Sequence, residues 1–508
     1  MTMLKWNEEL YKEVENKVNE NMPILGYKNE YDILDEKYLY LVKNVEEEYL
    51  VHPNGPYKGT KSEMKKDSEY ISKSLIRKTR NIQYYGDVIQ KAINDAAFNG
   101  GGKVVIRGSS DSQNPNIYYT GAIYIKSNIE LHIEENAVLK FMRNKTNEFY
   151  PLVYTRWEGI EMMNFSPFIY SYEEKNIAIT GKGILDGCAD EFNWMPWKFG
   201  YFNEEDQQIQ RERLFNLGQE GADVRTERIF GDDISTIRPP FIQPYKTNNI
   251  IIKDITILNS PFWEINPVLC ENIKVSGIRI DTNLYNNDGV DPESCKDMII
   301  ENCYFLTGDD CIAIKSGRNN EGRRIGIPTS NIIIRNNEFK DGHGGITIGS
   351  EISGGVNNIF GHDNFFDSKE LDYPIRFKTN AERGGKLENI YIKNSTVSKS
   401  KIAVIHADFF YEEGTNGNHK PILRNIMISN IKTVSGSSID AKNALYLKGF
   451  EDARIENIVL EDAILNGVKG EAILQNIKNI TFKNVYINGN KLEDSTFDVD
   501  NDFNIKEI

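Results

Sequence analysis

In the stretch TGDDCIAIKSG (307–317) two aspartates stand side by side and run straight into an apolar segment. An isolated Asp-Asp is most often a solvated turn. Two carboxylates forced together would instead push one pKa upward. Other groups able to do chemistry flank the pair. Asp288 lies in YNNDGVDPESC (285–295), His343 in DGHGGITIGSE (341–351), and Arg376 and Lys378 in YPIRFKTN (373–380). Asp288 and Asp309 are 21 residues apart, Asp310 and His343 are 33 apart, and His343 and Arg376 are again 33 apart. If each interval is one structural repeat, three carboxylates, one imidazole and two cations stack into a stripe. Clustered carboxylates suit acid/base work, one holding a proton while the others stay ionised and activate water. Glycoside hydrolysis requires such a set. The cations suit a substrate bearing a carboxylate, for which Arg offers a fork and Lys a point charge.

Repetition along the chain supplies the elements that would hold this stripe. Short β-branched runs recur after Asn-Ile or a close variant, at 128, 176, 249, 272, 297, 331, 389, 425, 457 and 479. Each alternates apolar and polar residues and then turns at Asn, Asp or Gly, the pattern of strand–turn–strand. Many successive starts lie roughly 22 to 36 residues apart, too short a unit to bury its own apolar face but long enough to stack. Propeller blades are longer, and a leucine-rich horseshoe needs Leu at fixed positions. The pattern predicts an all-β chain, a right-handed parallel β-helix over about 125 to 490.

Upstream, GDVIQKAINDAAFNGGGKVVI predicts a helix capped by Asp87, with Ile89 and Ile93 on its apolar face and Gly100 to Gly102 ending it. Such a helix would cover the open edge of the β-helix. Residues 1–80, rich in Lys, Glu and Tyr, open with a helical segment and lack the repeat. They are expected to be a mixed or helical N-terminal extension, leaving 81–508 as the β-helix domain.

The 508 residues carry 60 Lys and Arg against 75 Asp and Glu, a formal charge of −15. That balance argues against nucleic acid or an anionic membrane as partner. The five cysteines form neither CxxC pairs nor Cys/His zinc spacing, which suits buried thiols in a reducing compartment. The N-terminal stretch has no apolar leader core, and no run reaches the length of a membrane span. The expectation is a cytoplasmic protein with no cofactor and no metal, with a homo-oligomer left open.

The motifs NND (286–288), GDD (308–310), GHGG (342–345) and RFK (376–378) resemble, in the same order, the signature NTD, DD, GHG and RIK of the family 28 glycoside hydrolases, the polygalacturonases and their relatives. Asn287 stands for the usual Thr and Phe377 for the usual Ile. The resemblance implies Asp309 as general acid, Asp288 and Asp310 as the pair activating water, and His343 tuning the acid. It further implies Arg376, Lys378 and Asn286 as substrate-binding residues and inversion at the anomeric carbon. RPPFIQPY (238–245), SGRNNEGRRIGIPTSN (316–331) and FKTNAERGG (377–385) resemble the exo-acting bacterial and plant branch, which releases galacturonate from the non-reducing end. Tyr411 in FFYEEG (409–414) is a candidate sugar-stacking ring.

Three alternatives remain at this stage. Rhamnogalacturonan cleavage would use the same carboxylates. A pectate lyase would need a Ca²⁺ cage, for which Asp288, Asp309 and Asp310 are the available ligands. A non-catalytic carbohydrate-binding β-helix would need no such stripe.

Overall fold

Each recurring repeat start is a residue held at positive φ. Asn128, Asn176, Asn249, Asn272, Asp297, Asn331, Asn389, Asn425, Asn457 and Asn479 lie between φ 55 and 62°. Asn and Asp tolerate this left-handed turn, which β-branched residues do not. The computed structural model describes residues 4–53, 71, 73–202, 204–231, 235–500 and 503–504. Two compact units emerge, one of Met1–Met22, Leu269–Ile280 and Asp288–Ile508, the other of Pro23–Val268 and Asp281–Asn287.

In the first unit the turn asparagines form a ladder. The carboxamide of Asn331 donates to Asp297, Asn358 to Asn331, Asn389 to Asn358, Asn425 to Asn389, Asn457 to Asn425 and Asn479 to Asn457, at 2.7–3.3 Å. Every rung fixes register for the strand that follows. Met298, Ile332, Ile359, Ile390, Ile426, Ile458 and Ile480 therefore stand in one parallel column inside the coil. All are buried. A second parallel sheet runs Ile312–Ile314, Gly344–Ile348, Tyr373–Lys378, Ala403–Asp408, Asn443–Lys448 and Gly470–Gln475. Its inward column is Ile312, Ile346, Ile375, Ile405, Leu445 and Ala472. Ser495–Val499 runs antiparallel to Ile477–Lys483 and pairs the last edge.

The N-terminal helix Glu8–Glu20 is part of this unit. Asn7 caps it through its side chain. Tyr11, Val14 and Val18 lie across the outer face of the sheet on Ile299, Ile333, Phe360, Tyr391 and Met427. Lys17 reaches Asp297 at 2.5 Å, and Tyr11 bonds His362 at 2.9 Å.

The second unit has its own parallel coils, with Gly102–Ile106 on Ile129–Ile133 and Lys175–Gly181 on Asn248–Lys253. The helix Gly86–Phe98 buries Val88, Ile89, Ala92, Ile93 and Ala96 beside the first of these strands. Its N-cap position is Tyr85 rather than Asp87. Asp87 falls inside the first turn, where a carboxylate favours the helix dipole, and pairs with Lys43 at 3.1 Å. Gly100 and Gly101, at φ 90 and 124°, end the helix as expected. Lys43–Val51 and Ile76–Tyr84 form an antiparallel pair. Among the described residues no helix is long and apolar enough to cross a membrane.

Candidate active site

Asp288, Asp309, Asp310, His343, Arg376, Lys378 and Tyr411 all belong to the first unit. The backbone positions the aspartates in two steps. Val290 pairs with Ile312, which sets Asp288 over Asp310, and the His343 amide donates to the Asp309 carbonyl at 3.1 Å. One oxygen of each of the three carboxylates lies within 4.8 Å of the others. The cations do not complete a column at equal steps. Gly344 pairs with Tyr373, and Thr347, not His343, pairs with Arg376. The equal 33-residue spacing was thus not a register, because the connecting loops differ in length.

What lets Arg376 reach back to Asp310 is the missing side chain at Gly344, while Lys378 packs against Gly349. A Cβ at Gly344 would stand 2.6 Å from Asp310 Oδ1 and 3.3 Å from Arg376 Cδ. Through that gap Arg376 Nη1 donates to Asp310 Oδ1 at 3.2 Å, and Lys378 Nζ donates to Asp310 Oδ2 at 2.6 Å from the next position on the same face. Each carboxylate of the cluster has its own cation. His343 Nδ1 meets Asp309 Oδ1 at 3.1 Å, and Lys315 Nζ lies 3.7 Å from Asp288 Oδ2 and 3.2 Å from Glu351 Oε2. Asp288 and Asp310 are buried, while Asp309 is 19% and His343 55% exposed.

These environments separate the protonation states. Burial, with Asp291 and Asp309 as like charges, pushes Asp288 well above the carboxylate range, against the pull of Lys315. Burial also opposes ionisation of Asp309, but the hydrogen bond and charge of His343, with Lys378 and Arg376, hold it well below that range. Asp310 is buried too, and Lys378 and Arg376 keep it low. The hydrogen bond to Asp309 raises His343, against its burial. The directions divide the three carboxyls, raising Asp288 and lowering Asp309 and Asp310.

Three clustered carboxylates are a donor set for a hard cation. Here they do not fit one, since a divalent ion would meet Lys315, Arg376 and Lys378, which already neutralise them.

Tyr411 joins the site. Its ring centre is 5.4 Å from Lys378 Nζ and 5.8 Å from Arg376 Cζ. Asn286 lies in the second unit, where its carboxamide oxygen accepts from the buried Arg238 at 2.8 Å.

A family model, Glycosyl hydrolases family 28, matches residues 228–492. The crystal structure of a hyperthermoactive exopolygalacturonase from Thermotoga maritima is 32% identical, with a TM-score of 0.80, over 97% of this chain and 100% of that one. The chain belongs to glycosyl hydrolase family 28. With it the fold is the right-handed parallel β-helix. Curated relatives include a probable polygalacturonase of Vitis vinifera, 35% identical over 38% of this chain and 38% of the relative. Another is an exo-poly-alpha-D-galacturonosidase of Dickeya chrysanthemi, 26% identical over 57% and 50%. The chain thus spans half or less of the length of these two relatives.

The two departures from the usual family 28 motifs sit in structural positions. Asn287 is fully buried, accepts from Thr282 and the Leu284 amide, and donates to the carbonyls of Ser260 and Phe262. Phe377 packs in the core column between Ile348 and Ala407. The sequence reading missed Lys315 and Glu351, although Lys315 alternates with Ala313 just as Lys378 does with Arg376. It also missed Tyr373, whose ring centre is 4.8 Å from Arg376 Cζ. His406, paired with Arg376 and 4.1 Å from the Tyr373 ring, is held neutral as well. Burial, then Arg376 and Lys378, take it down to about 3.

Proposed function

We propose that this protein hydrolyses α-1,4-galacturonosyl linkages of pectin-derived oligogalacturonides, releasing galacturonate from the non-reducing end. The observation that carries the reading is the Asp310–Arg376–Lys378 cluster beside the Asp309–His343 pair. Two cations next to a partly exposed acid suit a sugar that brings its own carboxylate. The exo mode is supported by the 32% identity to an exopolygalacturonase across 97% of the chain.

Asp309, the more exposed of the three carboxyls, is placed to protonate the leaving oxygen. Asp288 and Asp310, deeper, would orient and deprotonate water. One proton shared between Asp288 and Asp309 then serves both states. It rests on Asp288 in the free protein, where Arg376, Lys378 and His343 keep Asp309 ionised. A bound uronate would neutralise Arg376 and Lys378, raise Asp309 and favour moving the proton there, leaving Asp288 as a base. Inversion is the stereochemistry we propose with this scheme. It rests on the family likeness, since the carboxylate oxygens approach more closely than the roughly 6.5 to 9.5 Å usual between inverting carboxyl groups. Five free, buried cysteines support a reducing, cytoplasmic setting, in which imported oligomers rather than polymeric pectin are the substrate.

A product time course on a defined oligogalacturonide with EDTA, by chromatography and absorbance at 235 nm, tests the reading. Galacturonate monomer from the first time points, without an absorbance rise, is expected. Mixed oligomers would overturn the exo mode, unsaturated products the hydrolytic one, and loss of turnover on adding EDTA the assignment of the aspartates as a metal-free set.

A further inference from the structure

Two of the three clustered carboxylates meet cations that face the substrate, and the third does not. Asp310 is held by Arg376 and Lys378, and Asp309 by His343. Asp288 is met by Lys315, whose side chain is 3% exposed. Lys315 is fixed from below by its own backbone. Its amide donates to the Pro292 carbonyl at 2.9 Å and its carbonyl accepts from the Ser294 amide and the Thr329 hydroxyl, while Glu293 pairs with it across the coil. From the other side Glu351 Oε2 lies 3.2 Å from the ammonium, and Glu351 is itself paired with Arg318 at 3.3 Å. The ammonium gripped in this way faces Glu351, Asp291, Asp288 and Asp310.

We propose that Lys315 is a positioning residue of the hydrolytic reaction: its ammonium, anchored by Glu351, is the counter-charge that lets Asp288 act as a base toward the attacking water. The inference rests on the hydrolytic reading above. The groups facing Asp288 are Asp291 on its own turn, Asp309 and Asp310 from the next coil, and Lys315. Three of the four oppose its ionisation. Arg376 and Lys378 are committed to Asp310 and, with substrate bound, to the uronate. Lys315 is the deepest of the three cations, 3% exposed against 12% for Arg376 and 7% for Lys378, so its charge is the one left to the carboxylate cluster when substrate binds. Glu351 divides that charge, because it draws the ammonium away from Asp288 as well as holding it.

The two partners therefore give effects of opposite sign. In Lys315→Met the acid limb of the kcat profile, which reports ionisation of the base in the substrate complex, should move to higher pH by about one unit or more. This makes kcat about tenfold lower one unit below the optimum, with recovery at higher pH. In Lys315→Arg the limb should stay in place. In Glu351→Gln, with the full ammonium directed at the aspartates, the limb should move to lower pH. A folded Lys315→Met enzyme with an unmoved limb overturns the proposal. If that variant does not fold, Glu351→Gln decides alone, and a limb that stays or rises overturns it. Wild-type protein that releases no galacturonate overturns the hydrolytic reading, and this inference with it. A failure of the inference alone shows active wild type and an unmoved limb.

Discussion

Replacing Gly344 by alanine tests whether the gap through which Arg376 reaches Asp310 matters for turnover. Gly344 does not use a left-handed φ, so the effect is steric. The new Cβ would lie 2.0 Å from Thr347 Oγ1, 2.6 Å from Asp310 Oδ1 and 3.3 Å from Arg376 Cδ. Thr347 can rotate its hydroxyl away. Asp310 cannot yield so easily, because its two oxygens are held at 3.2 and 2.6 Å by two cations. Restoring an ordinary contact of about 3.4 Å requires the carboxylate to retreat by about 0.8 Å, which breaks one of those bonds. A catalytic group misplaced by about 1 Å costs on the order of 100-fold in rate, or about 2.7 kcal/mol of barrier. Overpacking adds about 1–3 kcal/mol of lost stability. The assay is initial-rate kinetics on an oligogalacturonide beside urea unfolding of the same preparation. The double variant with Thr347→Ala should regain much of the stability but not the rate, since the contact with Asp310 remains. A folded Gly344→Ala enzyme with kcat within about threefold of wild type would refute the argument that Asp310 must sit at this position.

Two further perturbations probe the acid and the scaffold. His343→Gln should move the alkaline limb of kcat to higher pH, because Asp309, the acid, then loses the hydrogen bond and charge that lower it. The pair also carries stability with a defined window. The raised His343 contributes it below about pH 6.5 and loses it as pH rises through its folded value, while the lowered Asp309 contributes it above about pH 3.9 and loses it as pH falls. Unfolding of wild type and His343→Gln across pH should therefore differ most between those limits, and a difference independent of pH would contradict the pairing. Asn389→Ala removes the donor to Asn358 and the acceptor for Asn425 at φ 61°, with an expected loss of about 2–4 kcal/mol from two hydrogen bonds and a left-handed alanine. Asn389→Gly keeps the turn and should lose about half as much in urea denaturation.

The coil was legible because one physical demand recurs at every turn. A left-handed corner selects Asn or Asp, and the next inward position selects a β-branched residue, so Asn-Ile marks each rung. The acid pair and its cations were legible because GDD, GHGG and RFK are compact in sequence. Their register was not, since loops such as the one before Thr329 change the residue count per coil without changing the stacking. Lys315 escaped notice because a single lysine after IAI reads as solvated surface until the structure shows it buried. Asp87 misled because a carboxylate serves the first turn of a helix almost as well as its cap. Nor could hydrophobic spacing in Glu8–Glu20 reveal which coils would receive it.

That docking has a consequence for the order of events in the cell. A 13-residue helix is marginal on its own in water, and its apolar stripe matches side chains from five successive coils, the last bearing Met427. The ribosome must therefore add more than 400 further residues after Val18 before the full docking face exists, roughly 20 to 80 seconds at ordinary elongation rates. Until then Tyr11, Val14 and Val18 travel uncovered. A slip of one residue in those strands would turn toward the helix a residue of the inward column, such as Ile332 or Ile390, and misalign the docking face. The helix leaves the ribosome before the coils that receive it, and it closes only over coils that have stacked correctly.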